Sequence, residues 1–250
     1  MKNWETWGET PIQFLPVTPS RDELRLIQEG ATVAELFETD RVRLDHTYLK
    51  LGLKGTLKKV YTRKVILDRL TEGANQLPPG YSVMVFDAFR TIECQYDLLR
   101  WMAEDAKRRN PKLSTEESWA VSRMFVADPD DKERPTVPTH NSGGAIDLGL
   151  CYQGQLVNYG TDFDEPVEKS NTLALEKALE AGKLSTSDQE ALRNRRQLFY
   201  FMKSLGFTNL SSEWWHYDIG DLLWSRQTGY PKMGHKWIFE SIEKEVLALK

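Results

Sequence analysis

The chain reads as an α+β protein, a small antiparallel sheet flanked by helices. Three observations predict this. Two short β-rich runs, 81–86 and 144–152, lie between long stretches of helical period. Helices and strands do not alternate regularly, which argues against a doubly wound parallel sheet. No internal repeat, low-complexity run or linker divides the 250 residues, so 1–250 is expected to form a single domain.

The elements follow in order. Residues 1–40 are punctuated by Pro11, Pro16 and Pro19 and are expected to pack on the rest as an N-terminal arm. Within it, Ser20 is expected to cap a short helix, with Glu23 at the capping-box position. Val60, Val65, Ile66, Leu67, Leu70, Ala74 and Leu77 form an apolar stripe at mostly three- and four-residue spacing, which predicts a helix over 57–77. Pro78-Pro79-Gly80 stops it, and 81–86 is expected to be a buried strand. A helix over 93–108 ends before Asn110-Pro111. Ser114 and Glu117 make a capping box for the next one. The polar stretch 127–139 is a long loop of the kind that is functional or mobile. A strand over 144–152, a loop over 160–166, helices over 173–179 and 189–205, and an aromatic β-like run over 213–219 complete the chain.

Composition narrows the function. With 33 Lys+Arg against 37 Asp+Glu the net charge is −4, which argues against a nucleic-acid partner. No apolar run approaches the roughly 18 residues of a membrane-spanning helix. The N-terminus has no secretory apolar core, so a cytoplasmic location is expected. Cys94 and Cys151 cannot make a disulfide scaffold and suit a reducing compartment.

Of four histidines, two sit in dense polar settings: Thr139-His140-Asn141-Ser142-Gly143-Gly144-Ala145-Ile146-Asp147 and Glu213-Trp214-Trp215-His216-Tyr217-Asp218. Two imidazoles, a carboxylate and a further acid are the parts of a catalytic zinc site. The glycines would let the chain fold back so that His140 and Asp147 face one ion. Glu213 and His216 are three apart and would point to opposite faces of a regular strand. They converge only if Glu213 lies in the turn before the strand, or if a bulge intervenes. Taken singly, each cluster is more often a packed core histidine beside a cap or a solvated acid than a metal site. Arg90 follows a buried strand and must either line a cavity or pair with Asp87 or Glu93. Asp164 could cap its loop beside Pro166.

The remaining features have plainer readings. One of Trp214 and Trp215 is expected to wall the site and the other to join the core. His46 and His235 are read as surface or packing residues. Arg193, Arg195 and Arg196 are read as a solvated or ion-paired helix face. Cys151, four residues past Asp147, raises a Cys–His hydrolase reading, but no activating arrangement is visible.

Together the clusters resemble the metal signatures of the zinc D-alanyl-D-alanine dipeptidase family, relatives of the zinc D,D-carboxypeptidases. The family pattern is Ser-x-His-x-x-Gly-x-Ala-x-Asp followed far downstream by Glu-x-x-His. Here His140, Gly143, Ala145 and Asp147 stand in register, then Glu213 and His216. Asp87-Ala88-Phe89-Arg90, Gly160-Thr161-Asp162-Phe163-Asp164 and Asn194-Arg195-Arg196 before Gly206-Phe207 match further family segments in the correct order. The resemblance implies the fold shared by D,D-peptidases and Hedgehog-type zinc domains. It implies one zinc per chain on His140, Asp147 and His216, and Glu213 as general base. Arg90 would stabilise the charge developing on the substrate carbonyl. Asp164 would anchor the free ammonium of a small dipeptide. The activity implied is hydrolysis of D-Ala-D-Ala. A carboxypeptidase or endopeptidase of the same fold, and a zinc-containing binding module without catalysis, are the rivals. Two positions depart from the pattern. Pro138 stands where the family has Ser near the substrate's C-terminal carboxylate, so Thr139 or a backbone N–H would have to serve. Thr91 replaces a Pro after the arginine.

Overall fold

The computed structural model describes residues 3–133, 137–229 and 240–249. Helices α1 (Trp4–Glu9) and α2 (Arg21–Glu29) precede strands β1 (Val33–Leu36) and β2 (Val42–Leu44) and a single turn, α3 (Thr47–Lys50). Then come β3 (Val60–Arg63), α4 (Lys64–Asn75), β4 (Tyr81–Asp87), α5 (Ile92–Arg109), α6 (Thr115–Phe125) and the short α7 (Thr139–Ser142). The hairpin β5 (Ala145–Tyr152) and β6 (Gln155–Leu156) leads to α8 (Ala174–Glu180) and α9 (Thr186–Ser204). β7 (Thr208–Asn209), β8 (His216–Asp218), α10 (Leu222–Thr228) and α11 (Glu243–Ala248) follow.

The architecture is α+β, as the sequence pattern predicts. The main sheet runs β2-β4-β5-β8-β7, with β6 folded onto β5. It is antiparallel throughout except that β2 runs parallel to β4. β1 and β3 form a separate antiparallel pair. The 57–77 stripe is therefore two elements rather than one helix. Val60-Tyr61-Thr62-Arg63 is β-branched and aromatic and pairs with β1, and helix begins only at Lys64.

Helices cover the sheet with regularly spaced apolar faces. On α4, Ile66, Leu70 and Ala74 are fully buried at four-residue spacing, and on α9 so are Leu198, Phe201 and Met202. α1 docks on α9 and buries Trp4. α5 and α6 pack together through a second cluster that includes Leu98, Met102 and Val126. Ser114 and Glu117 form the complete capping box that their spacing predicts. Ser20 caps α2 through the Glu23 amide, but the Glu23 carboxylate turns to Arg69 at 2.6 Å. No helix among the described residues is long and apolar enough to cross a membrane.

Candidate active site

Strand register builds the floor of the site. β5 lies between β4 and β8, and Asp147 stands opposite Asp87 on one side and His216 on the other. Residues opposite one another in a sheet share a face, so these three side chains meet. A register shift between Val85 and Asp87 turns the end of β4 toward the group. His140 arrives from α7. Gly143 ends that turn in the left-handed region, with φ +73°, where a Cβ would also strike Ile242. The chain reverses there, as the glycine pair predicts.

The convergence is tight. The ligand-type atoms of His140, Asp147 and His216 all lie within 4.8 Å of one another, and all three residues are buried. His140 Nε2 is 3.2 Å from His216 Nδ1 and 3.3 Å from Asp147 Oδ2, and His216 Nδ1 is 3.0 Å from Asp147 Oδ1. The far ring nitrogens fix the tautomers. His140 Nδ1 donates to the Ala88 carbonyl at 2.6 Å, and His216 Nε2 donates to Asp218 Oδ1 at 2.9 Å. Each ring thus turns its other nitrogen inward beside the Asp147 carboxylate. Such a set of two imidazole nitrogens and a carboxylate oxygen supplies the ligand atoms for a metal cation. It fits zinc held by two imidazoles and a carboxylate with a position left open.

In the absence of a cation, the carboxylates and imidazoles stabilise one another's charges. Burial opposes charge on His216, but Asp218 and Asp147 outweigh it and push its pKa well above the usual imidazole value. Burial likewise raises Asp147, yet the two imidazoles hold it far below the ordinary carboxylate range. Behind the group, Asp221 is pushed well above the carboxylate range, first by burial and then by Asp218.

All seven residues that the sequence singles out line one cleft of about 410 Å³: Arg90, Thr139, His140, Asp147, Asp164, Glu213 and His216. Glu213 sits in the turn before β8, which is one of the two placements that let it meet His216. Its Oε2 lies 3.8 Å from His216 Nδ1, and burial pushes its pKa up to about 8. Asp164 adopts φ +59°, unusual for a residue with a side chain, and accepts a hydrogen bond from Tyr48 at 2.6 Å. Burial raises its pKa to about 6. Arg90 takes both of its alternatives. Its Nε and Nη2 grip Asp87 Oδ2 at 2.9 and 2.7 Å, while Nη2 also faces the metal-type group, 3.9 Å from Asp147 Oδ2.

Tyr48, Gln95, Asp218 and Asp221 are the residues that sequence reasoning misses, whereas Asp87 is the partner it offers for Arg90. Tyr48 bridges Arg90 and Asp164, accepting from Arg90 Nη2 at 3.3 Å. Gln95 accepts from Arg90 Nη1 at 3.0 Å and donates to the Ala127 carbonyl at the start of the long loop. Asp218 had a readable signal, since His216-x-Asp218 places both side chains on one strand face.

Several expectations are corrected. Trp214 and Trp215 both belong to the core and neither lines the cleft; Trp214 stacks on Tyr159 with ring centroids 3.9 Å apart. Arg195 and Arg196 are buried rather than surface residues, because α9 is covered by α1 and by the loop after β6. Arg193 keeps the ion-paired surface role, with Glu5 and Glu9, and Arg196 is ion-paired with Glu176 but buried. Cys151 lies about 13 Å along β5 from Asp147 at four residues' rise, and burial pushes its thiol up to about 11. That removes the Cys–His reading. His46 is half-buried at the N-cap of α3. His235 lies outside the described residues.

Comparison with known proteins agrees with this geometry. A model of the M15 peptidase family, described as D-ala-D-ala dipeptidase, matches residues 54–233. A D-alanyl-D-alanine dipeptidase of a Synechocystis species is 27% identical over 213 residues, 77% of this chain and 83% of the relative. One from Enterococcus faecalis is 29% identical over 147 residues, 57% of this chain and 64% of that protein. One from Escherichia coli is 35% identical over 81 residues, 32% of this chain and 37% of that one. The family match spans well over half of the chain and takes in the whole metal-type group, so this protein belongs to the M15 family of D-Ala-D-Ala dipeptidases.

Proposed function

We propose that the protein is a zinc-dependent dipeptidase that hydrolyses D-Ala-D-Ala to two D-alanines. The observation that carries this is the inward convergence of His140, Asp147 and His216 with Glu213 beside them in one cleft. His140, Asp147 and His216 would hold one zinc per chain, which when bound would polarise the scissile carbonyl and activate a water. Glu213 takes the proton of the attacking water on its carboxylate and returns it to the leaving amine. Arg90, held by Asp87, Gln95 and Tyr48, presents Nη2 to the carbonyl oxygen as negative charge builds there. Asp164 receives the substrate ammonium, a pairing that favours a dipeptide over a longer or acylated chain. Thr139 lines the cleft beside Pro138 and offers a hydroxyl donor near the C-terminal end of the substrate. Two cysteines that are buried and unpaired support a reducing, cytoplasmic setting.

Metal analysis of the purified protein together with a peptide panel tests the reading. About one zinc per chain and hydrolysis of D-Ala-D-Ala in preference to its N-acetyl form are expected. Equal rates on the two would transfer the protein to the carboxypeptidase reading.

A further inference from the structure

A D,D-dipeptide is a zwitterion, and the dipeptidase reading so far gives its carboxylate no cation. Pro138 lines the cleft beside Thr139 and its side chain donates nothing. A charged hydrogen bond is stronger than a neutral one by roughly two-fold, so the cations around the cleft matter.

Three guanidinium groups line the cleft among the described residues: Arg90, Arg123 and Arg226. Arg90 is held by Asp87, Gln95 and Tyr48 and is assigned to the scissile carbonyl. Arg123 pairs with Asp128 at 2.9 Å and lies over the Trp119 ring. Arg226 has no hydrogen-bond or ion-pair partner among the described residues.

Its place in the fold matters as much as its freedom. Asp164 is tied to Tyr48 and so to Arg90, which follow β2 and β4. Arg226 lies on α10, which follows β8 on the other side of β5. Asp221, behind Asp218 and His216, caps α10, whose residues Leu222, Leu223 and Arg226 continue the cleft wall. The cleft is therefore lined by a buried-site carboxylate, Asp164, and by an exposed guanidinium, Arg226, unpartnered among the described residues, carried on elements that follow different strands of the sheet. Those are the two opposite charges that a zwitterion requires.

We infer that Arg226 binds the C-terminal carboxylate of the substrate. This rests on the dipeptidase reading. No covalent step is involved; the guanidinium donates to the carboxylate oxygens. The test compares wild type, Arg226→Ala and Arg226→Lys, each loaded with zinc, on D-Ala-D-Ala and on its C-terminal amide. Losing a charge-assisted hydrogen bond corresponds to roughly a 10–100-fold change. Arg226→Ala is expected to raise KM for the free dipeptide by about that factor and to move kcat much less, because the carboxylate does not change charge during the reaction. Arg226→Lys should recover part of the loss. The amide should be poor for wild type and insensitive to either substitution. An equal effect of Arg226→Ala on dipeptide and amide, or an unchanged KM, overturns the inference while leaving the dipeptidase reading intact. A wild-type enzyme that cleaves neither substrate overturns both.

Discussion

Two buried charged clusters in this molecule behave oppositely. On α9, Arg196 meets Glu176 of α8 through two hydrogen bonds of 2.8 and 2.6 Å, and Glu176 also accepts from the Ile12 amide at 2.8 Å. Donors there face acceptors, and the cluster closes on itself. In the cleft, two imidazole nitrogens and a carboxylate oxygen crowd within 4.8 Å of one another. Burying charge is costly unless it is paired. The first cluster is paired by the chain and joins the N-terminal segment to the helices. The second gathers residue types that could hold a metal ion. Ligand type and geometry, rather than burial or charge alone, separate a structural cluster from a candidate binding one.

The largest effects should come from removing a donor from the open cluster. His140→Ala and His216→Ala should each abolish both bound zinc and dipeptide hydrolysis, read by metal analysis and turnover. Full zinc in both variants would break the comparison. Glu213→Gln comes next. It keeps the shape of the cleft and the zinc but cannot take the water's proton, so kcat should fall by roughly 10²–10⁴-fold. Activity within a few-fold of wild type would make Glu213 a structural acid.

Asp164 sharpens the contrast by selectivity rather than by loss. Its pKa is raised to about 6 by burial, so it is charged above that pH and neutral below. The ratio of kcat/KM for D-Ala-D-Ala to that for the N-acetyl dipeptide should therefore fall as pH drops through about 6. In Asp164→Asn the ratio should be roughly 10–100-fold smaller and flat with pH. A ratio that stays pH-dependent in that variant would assign the anchor elsewhere.

The smallest effect on catalysis belongs to the closed cluster. Glu176→Ala leaves Arg196 buried without its carboxylate and should cost about 3 kcal/mol of folding stability by denaturant titration. Its kcat/KM should match wild type wherever it is folded. Replacing the pair together, with Glu176→Leu and Arg196→Met, should restore most of that stability. A catalytic defect in the single variant would show that the two clusters are coupled.

Much of this site was legible in the sequence because its groups announce themselves by type and order. His140, Asp147, Glu213 and His216 stand in an ordered pattern, and the condition that Glu213 lie in a turn could be stated in advance. Helices α5, α6 and α9 were legible from period and caps, and β4 and β5 from their β-rich runs. β1, β2 and β7 were not. They span two to four residues, and tertiary pairing rather than local pattern makes them strands. β3 was masked because Val60 and Val65 fit a helical stripe as well as a strand edge. Tyr48 was missed for a similar reason. It lies far from every motif, and only the β2–β4 pairing brings α3 beside Arg90. Arg195 and Arg196 looked like a surface patch because charge pattern carries no information about which elements will cover a helix.

The register of β5 sets which length changes this chain can absorb. Asp147 meets Asp87 and His216 only because three strands align at one position. Side chains alternate along a strand, so a one-residue insertion or deletion that slips β5 would turn Asp147 away from both histidines. The hairpin end is different. Gln153 and Gly154 form a two-residue turn, both with positive φ, leading into a β6 of only two residues. Relatives that gain or lose residues should do so there and in the loops, while the spacing from His140 to Asp147 stays fixed.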